Sequence, residues 1–280
     1  MGRSTRIIAL ASAALLSAAV LAGCSTGSLA EPSSSPPSSS ASPSPSPSPT
    51  PSPTPTPTPT PTREPPPAPP PVDALTGGED NEGPVIAVKI DNTSAGLPQY
   101  GIASADITYV EQVEGGLTRL MPVFHTTLPD NVGPVRSVRT TDAELLPAFG
   151  VPALVFSGGG GVPLEAIANT PVIQVAEEQG AGGFWRSGSN APFNLHSNLT
   201  QVLANTSGLS PARSIGFAFA ATDPRVDAAP SAGGVDVQFQ AARMGFSWTG
   251  SNYRVIRQGT PLEDAGGTPV VADNVLIQNV

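Results

Sequence analysis

The sequence predicts an α/β (α+β) domain built on a mixed sheet, followed by a smaller, mainly-β domain. Three stretches carry that prediction. PVIAVKID (84–91) is a continuous apolar run, as expected of a strand covered on both faces. PALVFSGGGGVPLEAIAN (152–169) reads as strand, glycine loop and helix. After about Pro211 the pattern turns to strand alone, in VDVQFQ, GFSWTGSNYRVIRQG and PVVADNVLIQNV.

The remaining elements follow in order. Residues 92–102 form a loop rich in Gly, Pro and Ser. ADITYVEQV (105–113) alternates and is rich in β-formers, and LTRLMPVFHTT (117–127) is strand again. Gly115-Gly116 between them signals a turn, which predicts a hairpin. PVRSVR (134–139) is short and extended. Thr141 with Glu144 fits a capping box that opens a helix through Leu145, Leu146 and Phe149. Pro147 falls inside that stretch, so the helix is short or kinked. A strand at PVIQVA precedes a glycine-rich loop to Pro192, which holds Trp185 and Arg186, and NLTQVLAN forms a helix capped by Ser197. The chain stops at Val280 inside a strand-like run, so the β-rich domain is expected to be incomplete.

Ahead of the fold lie two other materials. Arg3 and Arg6 precede the apolar run IIALASAALLSAAVLAG, which reads as an export signal over 1–23. It ends in Leu21-Ala22-Gly23-Cys24, which resembles the bacterial lipoprotein box. Cys24 is the single cysteine of the chain, so lipidation there is the expected membrane anchor and no disulfide remains. Residues 24–83 read as a linker whose Ser/Thr-Pro repeats cannot bury apolar surface. In polyproline II, at about 3.1 Å per residue, its repeat-rich part over 31–73 reaches on the order of 100 Å. The α/β domain then spans 84–210 and the β-rich domain 211–280.

The net charge of −9, and a single lysine (Lys89) among 13 basic residues, argue against nucleic acid and against a polybasic membrane patch. Chemistry is sought first in the arginines. Arg119, Arg136 and Arg139 lie close together in apolar company, near Asp91, Asp106, Glu111, Glu114 and Asp142. An arginine is costly to bury alone. Either these fork into the protein's own carboxylates, or they converge on a ligand's negative charge. SGGGG before a helix adds exposed amides at a positive helix end. It lacks the GK[ST] of a nucleotide-binding loop. The candidate ligand-binding set is therefore Asp91, Asn92, Glu114, Arg119, Arg136, Arg139, Ser157, Gly158 and Gly159. His125 and His196, with no partner cysteines, point away from a zinc site, and no metal or cofactor is expected. Ser157 with His196 and an acid would form a hydrolytic triad, but Ser157 stands outside a GxSxG elbow. Trp185 and Arg186 could stack on a ligand ring or plug the core edge.

PVIAVKIDN, SADITYVEQVEGGLTRLMPVF, NVGPVRSVR and GFWRSGSNAPFNL, in that order and spacing, resemble the YerB-like lipoproteins. The resemblance covers roughly residues 84–280. It implies a two-domain envelope protein with an α/β N-terminal domain and a smaller C-terminal one, and supplies no catalytic residues. By analogy with members associated with cell-wall synthesis, peptidoglycan or penicillin-binding proteins are the implied partners. ADITYV, the strand through Arg119 and the arginine pair also resemble enzymes that attach glycopolymers to peptidoglycan. The Arg-Asp pairing of those enzymes is absent here, since Ser137 and Thr140 follow the two arginines. The expectation is a lipid-anchored, extracytoplasmic binding module. The alternative is a wall-polymer transferase or hydrolase using the same face.

Overall fold

The computed structural model of the chain describes residues 72–180, 182–220 and 222–278, all within one compact unit from Pro65 to Val280. The expected signal segment, Cys24 and the repeats of the expected linker lie outside the described residues.

PVIAVKID forms β1 (Ile86–Val88) and β2 (Ile90–Asp91), one line of backbone interrupted at Lys89. The expected hairpin is β3 (Ile107–Gln112) and β4 (Thr118–Phe124). Then come α1 (Thr140–Leu145), β5 (Ala153–Phe156), α2 (Gly161–Ala168) and β6 (Ile173–Ala176). Side by side the strands run β3, β4, β1, β5, β6 in a six-stranded sheet, with β2 continuing the register of β1 on β4. Strands β1, β5 and β6 are parallel, and β4 is antiparallel to β1. The sheet is mixed, as its sequence predicts.

Alternation along these strands sends side chains to two cores. Ile86, Val88, Ile90, Leu120, Phe124 and Val155 pack on one face, and Ala87, Met121, Val123, Leu154 and Phe156 on the other. Burying each large apolar side chain contributes roughly 1.5–3 kcal/mol, so the layered centre is the main source of stability. The second face is closed by Leu146 and Phe149 after α1 and by Ile167 of α2. As Pro147 requires, α1 ends at Leu145 and the chain tightens into a 3-10 turn, Leu146–Phe149.

Beyond β6, β7 (Phe184–Arg186) and β8 (Leu195–Ser197) pair as a small hairpin, so Trp185 and Arg186 stand on a strand rather than in a loop. α3 (Leu199–Asn205) follows, and its cap is Asn198, whose side chain accepts the Gln201 amide. Ser197 is a buried strand residue instead. After Pro211 the chain is not strand alone: α4 (Pro224–Asp227) intervenes. The second, five-stranded sheet contains β9 (Gly234–Gln238), β10 (Arg243–Trp248), β11 (Tyr253–Arg257), β12 (Thr260–Pro261) and β13 (Val271–Ala272). The expected terminal strand over 269–280 shrinks to β13. Leu276 and Ile277 are exposed, so no burial holds that stretch extended.

Met244, Val255 and Leu262 of this sheet join the first core. Gly116 approaches it so closely that a Cβ there would lie 2.3 Å from Gln240 Cβ, and its φ of +71° favours glycine. The fold also begins before Pro84. Asp73 and Leu75 are buried, because Asp73 holds His125 and Leu75 completes the second core.

Candidate functional site

The carboxyl ends of β1–β2, β5 and β6 lie at one edge of the sheet, with the start of β4 and the end of β3. In open α/β sheets this is the edge outside which ligands bind, where neighbouring connections diverge. Here the diverging strands are filled by the segment Val132–Arg136. Ile90 bridges to Val135, the Arg136 amide donates to Lys89 O (2.8 Å), and the Ser157 amide donates to Arg136 O (3.0 Å). VGPVRSVR is therefore extended because it completes the sheet between β2 and β5, which delivers both its arginines to this edge.

The three arginines meet there but are not equivalent. Arg136 Nη1 lies 2.9 Å from Asp91 Oδ2, and its guanidinium sits 4.9 Å from the centre of the Phe193 ring. Arg139 donates from Nε (2.9 Å) and Nη2 (2.7 Å) to Glu114 Oε2, and from Nη1 to Val138 O (2.8 Å). These two are paired with the protein's own acids, although the buried Arg136 Nη1 makes no hydrogen bond among the described residues. Arg119, on β4 opposite Asp91, donates only to Ser137 O (3.0 Å) and has no ion pair among the described residues. It is nonetheless nine-tenths buried. Burial, with the like charges of Arg139 and Arg136, pulls its guanidinium down to about 10, against the opposing pull of Asp91 and Glu114. It stays charged at neutral pH, with Nε and Nη2 making no hydrogen bond among the described residues.

Behind the arginines lies a charged cluster that the candidate set left out. Lys89, fully buried, places Nζ 2.6 Å from Asp142 Oδ1 and 2.8 Å from Glu111 Oε2. The Arg139 amide donates to Asp142 Oδ2 at 2.7 Å, which caps α1. The expected Thr141–Glu144 box is thus replaced by Arg139–Asp142, because the Thr141 hydroxyl is drawn to Glu111 instead. A lone lysine inside a strand covered on both faces was the available signal for this cluster, since such a charge requires partners.

The glycine loop borders the same place. Gly158 adopts φ +72° with its Cβ position 3.5 Å from Ser137 Oγ, and a Cβ on Gly159 would meet Val138 Cγ1 at 2.8 Å. Ser137 thus separates the arginines from the loop, and Arg119 and Arg139 share its carbonyl. Gly159, Gly160 and Gly161 amides find no acceptor among the described residues. Ser157 Oγ donates to Glu178 Oε1 (2.8 Å) and lies 3.2 Å from Glu177 Oε2. Arg186 grips Glu177 (2.5 Å), tying the β7–β8 hairpin to this edge.

Other candidates stand elsewhere. Asn92 is buried against the second sheet: its amide donates to Thr118 Oγ1 (2.8 Å), its carbonyl accepts Arg257 Nε (2.9 Å), and it has no open face. His196 pairs with Asn131 Oδ1 (2.8 Å) beneath Trp185, 5.5 Å between ring centres, and does not hydrogen-bond Ser157, so the triad is not assembled. His125 lies at the opposite edge of the sheet, on Asp73.

Residues 74–212 match the domain family described as "Protein of unknown function (DUF3048) N-terminal domain". "Putative lipoprotein YerB" of Bacillus subtilis (strain 168) is 41% identical over 54 residues, 19% of this chain. That stretch spans 16% of the relative's own length. The crystal structure of YerB from Bacillus subtilis has the same fold, with a TM-score of 0.60 over 71% of each chain at 21% identity. Domain match, sequence and fold agree: residues 74–212 match a DUF3048 N-terminal domain, and the chain is similar to YerB over 54 residues of sequence and in its fold.

Proposed function

We propose that this protein is a lipid-anchored, extracytoplasmic module that binds an anionic cell-wall ligand at the arginine edge. The anchor reading rests on Leu21-Ala22-Gly23-Cys24 and on likeness to a protein named as a lipoprotein. The binding reading rests on Arg119, a nine-tenths buried cation that, among the described residues, has no carboxylate partner and donates only from Nη1. Burial is the first cause that lowers the pKa of its guanidinium, and the like charges of Arg139 and Arg136 add to it against the pull of Asp91 and Glu114. The ligand group is a phosphate or a carboxylate, either of which takes a guanidinium bidentately. The glycine-loop amides beyond Ser137 widen the same site. Peptidoglycan and the penicillin-binding proteins are the partners to test.

Catalysis on the same face, as a glycopolymer transferase or hydrolase, draws on Ser157 held by Glu177 and Glu178. Burial pushes the Glu178 carboxyl up, but hydrogen bonds from Ser157 and nearby amides, with Arg186, outweigh it and hold it low. A carboxylate held low is a weak base for a hydroxyl, which favours binding over turnover.

The test is thermal unfolding of the full-length protein in detergent against phosphate, pyrophosphate and soluble muropeptides. A rise in midpoint with one of these, absent in a folded Arg119→Ala variant, is expected. No rise with any of them would overturn the reading. Release of a cleaved or transferred product would instead establish the enzyme.

A further inference from the structure

The Lys89, Glu111 and Asp142 cluster holds one cation and two carboxylates, so it carries a negative charge in excess in the interior. Such an excess is unfavourable unless something neutralises it. We propose that the cluster binds one proton and acts as a pH switch on the docking of α1, and through α1 on the placement of Arg139.

The geometry supplies both the proton site and the transmission. Glu111 Oε1 is buried and has no hydrogen-bond partner among the described residues, while Oε2 takes both Lys89 and the Thr141 hydroxyl. Asp142 joins Lys89 through one oxygen and the Arg139 amide through the other. The first turn of α1 is thus fastened, through Asp142 and Thr141, to Lys89 between β1 and β2 and to Glu111 of β3. The other titratable groups facing them are few. Tyr109 on β3 has its hydroxyl pushed up by burial and by Glu111. Arg119 of β4 stands opposite Glu111 in register, and Arg139 leads into α1. From α2, packed against α1, comes only the exposed Glu165.

The titration agrees in direction. Burial pushes the Asp142 carboxyl up to about 6; Lys89 pulls it back and Glu111 adds to the push. A carboxyl raised by folding holds a proton that the unfolded chain releases. Its stabilisation is fully present below about pH 4, the ordinary aspartate range, and is lost as pH rises through 6. Above that, α1 is held less firmly. The consequence for a ligand rests on the arginine-edge reading, whereas the proton and the docking of α1 do not.

The experiment is therefore ligand-free. Urea unfolding of the full-length protein from pH 4.5 to 7.5 is compared with Glu111→Gln and Asp142→Asn. Relative to both variants, the wild-type folded-to-unfolded ratio should rise on acidification by up to about tenfold per pH unit, the limit for one proton. Glu111→Gln leaves a one-to-one Lys89–Asp142 pair and decides the matter if Asp142→Asn does not fold. Parallel wild-type and Glu111→Gln profiles would overturn the proton site. Amide exchange in α1 provides the second reading. Protection that falls above pH 6, after correction for intrinsic rates, supports the switch, and unchanged protection overturns it. Failure of phosphate to bind would leave both readings standing and would count only against the arginine-edge function.

Discussion

Two aspartates, both fully buried, stand at opposite edges of the same sheet, and their carboxyls end up shifted in opposite directions. Asp73 accepts from the amides of Leu75 and Thr76, from the Thr76 hydroxyl and from His125 Nε2. Burial pushes its carboxyl up, but these donors outweigh it and hold it below the usual range. Asp142 must share one ammonium with Glu111, and burial wins. Around Asp73 the edge is closed: Asp106 likewise takes up the amides of His125 and Thr126. Around Asp142 fewer groups are met: among the described residues Arg119 donates only to Ser137 O, and the buried Arg136 Nη1 and Glu111 Oε1 make no hydrogen bond. The lesson is that burial alone does not set the net shift of a carboxyl; the donors that meet it do.

The closed edge predicts the largest effect. Asp73→Ala leaves His125 Nε2 only the Asn81 carbonyl and three further donors unsatisfied, so urea unfolding should show a loss of about 3–5 kcal/mol. Anion binding at the far edge should survive wherever the variant is folded. A lowered folded pKa stabilises above the unfolded value and is lost as pH falls through the folded one. The wild type should therefore lose this contribution below about pH 4, and the variant should have none to lose. A loss under about 1 kcal/mol would mean the edge is not closed.

At the arginine edge the same truncation should act on binding rather than stability. Arg119→Ala removes one hydrogen bond to Ser137 O, worth about 1 kcal/mol net, and relieves repulsion from Arg136 and Arg139. We expect stability within about 1 kcal/mol of wild type and no midpoint rise with the anion that stabilises the parent. A large loss of stability would make Arg119 part of the scaffold and erase the contrast between the edges.

The strands were legible because their apolar pattern is local, and β3–Gly115-Gly116–β4 shows it directly. The arginines were legible as a cluster for the same reason, lying near one another along the chain. Their partners were not. Lys89 meets Asp142 across 53 positions, and no spacing rule reaches that far. The cap of α1 was misplaced by one such contact, since Thr141 serves Glu111 rather than its own helix. Asn92 looked like part of an open loop, but Met244 and Arg257 of the second sheet cover it.

The smallest effect tests the contrast most finely. Arg139 and Glu114 form the best-aligned pair at the arginine edge, yet the Glu114 side chain is 72% exposed. Exposed pairs contribute about 0–1 kcal/mol and weaken with salt. A double-mutant cycle of Arg139→Ala with Glu114→Ala should return a coupling in that range, shrinking in high salt. The Arg139 link to Asp142 runs through the backbone amide, so it persists in both variants. A coupling above about 2 kcal/mol would show that Arg139 is spent on the fold, as His125 is at the other edge. A small one leaves its guanidinium free to turn from Glu114 to an arriving anion beside Arg119.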